Sequence, residues 1–272
     1  MDAAAISRCA ALIGGARLAA APVPDLADAD RPERIADGYS VQAALHDYFR
    51  EHTGSTLAGW KIGATTGSMQ AYLGVDGPAW GRMMSDNVYE NGTSLAASGF
   101  CNPGIECEIG LRIGADATGG AYTRDSVGDI VDTVFPAIEI VENRYGDFLA
   151  RGTPTLVADD FFHKACVLGA EISDWRDIDL AALVGRTRID GVEKGRGTGA
   201  EVMGHPFEAL SWLANTLAAQ GEQLTAGQIV LTGSVAPVIW VESDTATAEI
   251  ALDRLGSVSV AFAEARLGRF RF

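Results

Sequence analysis

In the run Ile105–Glu106–Cys107–Glu108–Ile109, two carboxylates stand one residue apart inside an otherwise apolar stretch. Extended backbone alternates its side chains. Ile105, Cys107 and Ile109 therefore fall on one face and Glu106 and Glu108 on the other, about 7 Å apart along the strand. Like charges brought together inside a protein raise each other's pKa unless protons or a cation compensate. A second apolar run, Phe135–Pro136–Ala137–Ile138–Glu139–Ile140–Val141, carries a single charge, Glu139. Three carboxylates with positions left open for substrate oxygens make a hard-oxygen site suited to Mg2+ or Mn2+, whereas zinc calls for His or Cys ligands. The same residues also fit a solvated strand face with Glu139 as a salt-bridge partner, and the motif alone leaves both readings open.

Other groups gain meaning only beside these carboxylates. Lys61 lies in Gly59–Trp60–Lys61–Ile62–Gly63, a strand-like run between glycines, with Trp60 and Ile62 on the opposite face. An ammonium confined among apolar groups tends to a lowered pKa and suits proton transfer or carboxylate binding; a snorkelling surface lysine is the alternative. Asp76, in Leu73–Gly74–Val75–Asp76–Gly77–Pro78, is a loop acid that reads first as a turn former. Thr232–Gly233–Ser234 ends an apolar run and can offer backbone and hydroxyl donors to a carboxylate, but it is no GxSxG nucleophile elbow. Gly195–Arg196–Gly197–Thr198–Gly199 lacks the preceding strand and following helix of a dinucleotide site. His205 reads as a helix cap or a packed residue rather than a base.

The elements that must position these groups follow from periodicity. Residues 1 to about 50 read as helical, with Val41, Leu45, Tyr48 and Phe49 on one face after a Ser40 cap. From Leu57 the pattern changes to short β-like runs: Gly59–Gly63, Pro103–Ile113, Val134–Val141 and Cys166–Ile172. Helix returns at Pro206–Gln220, between His205 and Gly221. Gln228–Thr232, Val238–Val241, Thr247–Leu252 and Ser257–Phe262 close the chain as strands, with a turn at Leu255–Ser257. The sum is an α+β fold whose sheet carries the site, divided into an N-terminal helical region, 1–55, and a catalytic sheet domain, 56–272, as one structural unit.

The chain has 272 residues, 47% of them hydrophobic, and a formal charge of −15. That balance argues against binding a phosphate backbone and would repel a small anionic substrate unless a metal, Lys or Arg reverses the field locally. The four cysteines show neither a CxxC spacing nor a disulfide framework, and Leu12–Ala21 is too short and broken by Gly14, Gly15 and Arg17 to cross a membrane. A soluble, cytoplasmic protein with reduced thiols, and with neither nucleic-acid nor membrane partners, is expected.

Taken in order, Gly59–Gly63, Leu73–Gly81, Ile105–Ile109, Pro136–Val141, Gly204–Leu213, Leu224–Ser234 and Leu255–Phe262 resemble the fumarylacetoacetate hydrolase superfamily over most of the chain. The branch they resemble is that of 2-oxopent-4-enoate (2-hydroxypentadienoate) hydratase and 4-oxalocrotonate decarboxylase. The resemblance implies a mixed, strongly curved sheet and Mg2+ or Mn2+ on Glu106, Glu108 and Glu139. It also implies catalytic roles for Lys61 and Asp76 and a small 2-oxo acid or dienol carboxylate as substrate, which the hydroxyls of Thr232 and Ser234 are expected to hold. It further implies a homo-oligomer, associated in one version with other enzymes of aromatic meta-cleavage catabolism. Glu at the third ligand position favours the hydratase and decarboxylase branch over the C–C bond hydrolases, which carry Asp there. The expected reaction is addition of water to a 2-hydroxy-2,4-dienoate, giving a 4-hydroxy-2-oxo acid. The alternatives are decarboxylation of the 4-oxalocrotonate type and C–C hydrolysis of an acylpyruvate. Where many of those hydratases have an Asp-Asn-Ala-Ser run lining the substrate, this chain reads Asp159–Asp160–Phe161–Phe162–His163–Lys164. Phe162 is thus expected to shorten or grease the distal pocket, and Lys164 offers a positive charge.

Overall fold

Asp2 caps the first helix, α1 (Ala3–Leu18), its carboxylate accepting from the Ala5 amide at 2.8 Å. The second, α2 (Ile35–Thr53), stops at Gly54, whose φ of +75° is the left-handed cap conformation. Ser40 does not start this helix: it lies inside it, with its hydroxyl donating to the Ala36 carbonyl at 3.0 Å. Val41, Leu45 and Phe49 are buried as their spacing requires, within a cluster that also takes Cys9 and Ile13 of α1. The computed structural model describes residues 1–242 and 246–263.

The strands are β1 (Leu57–Gly63), β2 (Ala79–Met84), β3 (Val88–Glu90), β4 (Thr93–Ala96), β5 (Pro103–Ile113), β6 (Val131–Glu142) and β7 (His163–Leu168). There follow β8 (Val184–Ile189), β9 (Val192–Thr198), β10 (Ile229–Ser234), β11 (Ile239–Trp240), β12 (Ala246–Leu252) and β13 (Gly256–Ala263). A mixed eight-stranded sheet runs in the order β2-β1-β10-β5-β6-β7-β3, with β11 on the end of β5, and it is strongly curled. A five-stranded sheet in the order β4-β13-β12-β8-β9 packs against it. This is an α+β fold with helices at the flanks.

Alternation decides what each face of the large sheet meets. Ile105, Cys107, Ile109 and Leu111 of β5 and Ile138 and Ile140 of β6 share one core with Ile250, Val258 and Val260 of the second sheet. Their neighbours Glu106, Glu108 and Glu139 point to the other face. Shorter helices cover the edges: α3 (Gly67–Leu73), α4 (Arg124–Val127), α5 (Phe148–Arg151), α6 (Thr153–Ala158) and the longer α7 (Pro206–Ala219). His205 caps α7, Nδ1 accepting from the Phe207 amide at 3.0 Å, and Leu210, Leu213 and Leu217 are buried. The Gly195–Gly199 run lies in the β8–β9 hairpin and its exit, where a Cβ on Gly197 would meet the Val235 carbonyl at 1.8 Å. Close backbone approach, not phosphate binding, accounts for that glycine.

Several boundaries differ from the periodic pattern, among them β6, which starts at Val131 rather than Val134, and β10, which runs on to Ser234. The expected Cys166–Ile172 strand starts at His163 and ends at Leu168, with Ile172 making only an isolated bridge to Val134. The last turn sits before Gly256, which already opens β13.

Candidate metal centre and cleft

The register of β5 on β6 builds the acidic group. Glu106 pairs directly with Glu139, and Glu108 sits one step along on the same face. Their ligand atoms all lie within 4.8 Å of one another, and among the described residues these three form the acidic group so arranged. Glu108 and Glu139 are fully buried and Glu106 half-buried.

Among the described residues, each buried carboxylate has one oxygen tied and one without a partner. Glu108 Oε2 accepts from the Gly233 amide at 2.7 Å, while Oε1 has no partner. Glu139 Oε1 meets His163 Nδ1 at 2.9 Å and Lys61 Nζ at 3.3 Å, while Oε2 has none. Two buried, unpaired anionic oxygens facing a third carboxylate cost several kcal/mol without a counter-charge. An all-oxygen donor set with that deficit fits Mg2+ or Mn2+.

The local backbone serves this geometry. The β10–β5 pairing shifts between Leu231 and Ser234, and Gly233 in that bulge has φ +121°, with a would-be Cβ 2.6 Å from Thr65 Cγ2. Only glycine turns its amide onto Glu108 there. Without a cation, burial and then the Glu139 charge push Glu106 up to about 7, and burial with both neighbouring carboxylates raises Glu108 well above the usual carboxylate range. Glu139 goes the other way: burial would raise it, but Lys61 and the His163 hydrogen bond hold it below the usual carboxylate range.

Lys61 is buried on β1, with Nζ donating to the Phe161 carbonyl at 3.0 Å. A lowered lysine pKa is not what its surroundings give. Burial pulls it down, but Glu139, Glu106 and Glu108 outweigh that and keep it raised, so the group is an ammonium at neutral pH. Its carbonyl partner belongs to a bend in which Asp160, Phe161 and Phe162 all have positive φ, 51°, 51° and 70°. Buried ion pairs pin that bend. Asp160 meets Arg17 of α1 at 2.6 Å and His46 of α2 at 2.8 Å, and accepts from the Arg82 amide at 3.0 Å.

The cleft has two lobes that share Gly63, Ala64, Met69, Glu106 and Val238. One, about 450 Å3, is lined by Thr65, Thr66, Ser68, Arg196 and Ser234; the other, about 280 Å3, holds Lys61 among Phe148, Phe161 and Phe162. The structure thus brings together Glu106, Glu108, Glu139, Lys61, Ser234 and Phe162. Thr232 stands behind them, fully buried, with its hydroxyl committed to the Ile109 carbonyl at 2.9 Å. Asp76 is exposed on the loop between α3 and β2 and lines neither lobe. Lys164 turns away, over the Phe100 ring and toward the Arg17 carbonyl. His163 and Phe148 had no signal of their own in the sequence, since each matters through a partner well along the chain, Glu139 and Phe162; Arg196 instead pairs with Glu193, three residues away, at 2.8 Å.

The sequence model of the fumarylacetoacetate (FAA) hydrolase C-terminal family matches residues 84–263, which include all three carboxylates. The chain belongs to the fumarylacetoacetate hydrolase family. Within that family it is 34% identical over 248 residues to a 2-hydroxyhexa-2,4-dienoate hydratase of Comamonas testosteroni, covering 90% of this chain and 91% of that one. It is also 34% identical over 226 residues to a 2-keto-4-pentenoate hydratase of Burkholderia vietnamiensis, covering 83% and 85%. Among solved structures, the 4-oxalocrotonate decarboxylase of Pseudomonas putida G7, complexed with magnesium and adipate, superposes with a TM-score of 0.88 at 26% identity, covering 96% of this chain and 98% of that one. No helix among the described residues is long and apolar enough to cross a membrane.

Proposed function

We propose that this chain is a metal-dependent hydro-lyase that adds water to a 2-hydroxy-2,4-dienoate to give a 4-hydroxy-2-oxo acid. The observation that carries it is the meeting of Glu106, Glu108 and Glu139 with a buried ammonium, Lys61, where the two lobes join. Hydratase relatives at about a third identity over most of the chain support the reaction type. Glu106, Glu108 and Glu139 would hold Mg2+ or Mn2+, which supplies positive charge to the substrate's carboxylate and 2-oxygen as negative charge develops there.

The chain's own groups do the rest. Lys61, an ammonium held by Glu139 and the Phe161 carbonyl, donates a proton to the terminal carbon of the dienol. The enol O–H bond breaks in turn, its proton returns to Lys61, and the C=C pairs shift to leave a 2-oxo-3-enoate. Water then adds across C3 and C4. Ser234 and Arg196, on the polar lobe, orient the carboxylate end and the incoming water. Asp76, exposed and away from the cleft, keeps the role of a turn former in this scheme.

A second reaction is favoured by the fold match: loss of CO2 from a substrate with a second carboxylate generates the same dienolate, as the likeness to a decarboxylase suggests. Following dienol absorbance with 2-hydroxypenta-2,4-dienoate and 2-oxohex-3-enedioate, in Mg2+ or in EDTA, and weighing the products separates the two. Gain of water by the first compound supports the hydratase. CO2 loss from the second, with the first untouched, would replace it by the decarboxylase. A homo-oligomer is part of the same proposal, checked by native mass against the 28.5 kDa chain.

A further inference from the structure

The two lobes of the cleft differ in chemistry, and their placement around Lys61 gives the substrate a direction. The polar lobe has Thr65, Thr66, Ser68, Arg196 and Ser234; the second is walled by Tyr72, Val141, Phe148, Phe161, Phe162 and Trp240. Rings stand edge to face along it, with Phe161 and Phe162 centroids 5.9 Å apart, Phe162 and Phe148 5.3 Å, and Phe148 and Tyr72 6.3 Å. Among the described residues Lys61 is the one cation lining this lobe, and it is already paired with Glu139.

We infer that the aromatic lobe is a specificity subsite for an uncharged, apolar substituent on the far end of the dienoate, from a short alkyl chain up to a single ring. This rests on the hydratase reading and adds to it the class of substrate. A chain whose carboxylate and 2-oxygen face the acidic group, and whose terminal carbon reaches Lys61, can extend only among those rings. The room is sufficient: an apolar protein cavity of about 150 Å3 accepts benzene, and this lobe measures about 280 Å3 including the space beside Lys61. A second carboxylate there would lie among the rings with Lys61 already paired to Glu139 and with Glu106 at the neck, so a dicarboxylate is disfavoured. Phe162 is the determinant, because its ring lines the lobe and stands edge to face with both Phe161 and Phe148.

The test is a substrate series on the Mg2+-loaded enzyme: 2-hydroxydienoates whose C5 carries hydrogen, methyl, propyl, phenyl or carboxylate, with kcat/KM measured for each. Burying added methylenes or a ring predicts a rise of at least about tenfold from hydrogen to propyl or phenyl, and loss of turnover with carboxylate. In Phe162→Ser, the propyl-to-hydrogen ratio of kcat/KM falls at least about fivefold; a ratio taken within one preparation is insensitive to partial unfolding. Turnover of the hydrogen compound, with equal or lower values for propyl and phenyl, overturns the subsite while leaving the hydratase reading intact. Absence of turnover across the series overturns the hydratase reading itself, and the subsite with it.

Discussion

Glu139 is shared between two demands: Oε1 holds Lys61 and His163, and Oε2 faces the other carboxylates. Its neighbours are therefore separable by mutation. Lys61→Ala is expected to retain Mn2+ binding, read by calorimetry, while kcat falls about 10²–10⁴-fold, the range for losing a general acid. A Lys61→Ala enzyme with unchanged kcat would remove the lysine from the chemistry. Glu106→Gln, by contrast, should abolish metal-stimulated turnover and leave the fold intact, since Glu106 is half-buried and its charge is not neutralised by a protein partner of its own. Asp160 gives a stability prediction at the same scale. Burial would raise its carboxyl, but His46 and Arg17 outweigh that and hold it far below the usual range. A depressed folded-state pKa means stability that is fully present above the unfolded value, about 3.9, and is lost progressively as pH falls from there through the lower folded value. Asp160→Asn should thus cost about 3–5 kcal/mol near neutral pH, the cost of breaking a buried pair. Denaturant melts should show the gap to the unsubstituted protein narrowing below about pH 4.

Strand alternation makes the acidic group legible in the sequence itself. A period of two forces Glu106 and Glu108 onto one face, and an isolated charge in the Val134–Val141 run calls for a partner across the sheet. The bend at Asp160–Phe162 was not legible. Three non-glycine residues with positive φ carry no local signature, and what holds them is Arg17, 143 positions away from Asp160. The same distance hid the direction of the Lys61 shift, because a single run shows the apolar flanks and not the carboxylates across the sheet. Asp76 gained a catalytic role by resemblance alone, and the loop between α3 and β2 leaves it exposed. Gly81 reports on this packing: a Cβ there would sit 2.3 Å from the Asp160 carbonyl, backbone that cannot give way cheaply. Gly81→Ala should destabilise by about 1–3 kcal/mol and lower kcat by moving the Phe161 carbonyl off Lys61. A variant that melts and turns over like the parent would show the bend to be unconnected with the site.

At the scale of the whole molecule, a charge of −15 opposes the approach of an anionic dienoate, and the site's positive charge acts only at short range. Raising monovalent salt from about 10 to 150 mM shortens the Debye length from about 30 to 8 Å, so kcat/KM should rise, chiefly through KM. A fall with salt would indicate a positive steering field that the charge distribution does not suggest. The central claim is that turnover depends on a divalent ion held by Glu106, Glu108 and Glu139. The most direct measurement is a titration of chelator-stripped protein with Mn2+, following bound ion by electron paramagnetic resonance and dienol consumption at each point, beside Glu108→Gln. One ion per chain, with activity rising in step and both lost in the variant, is the result predicted. Full activity in the stripped protein, or unaltered binding and turnover in Glu108→Gln, would contradict it.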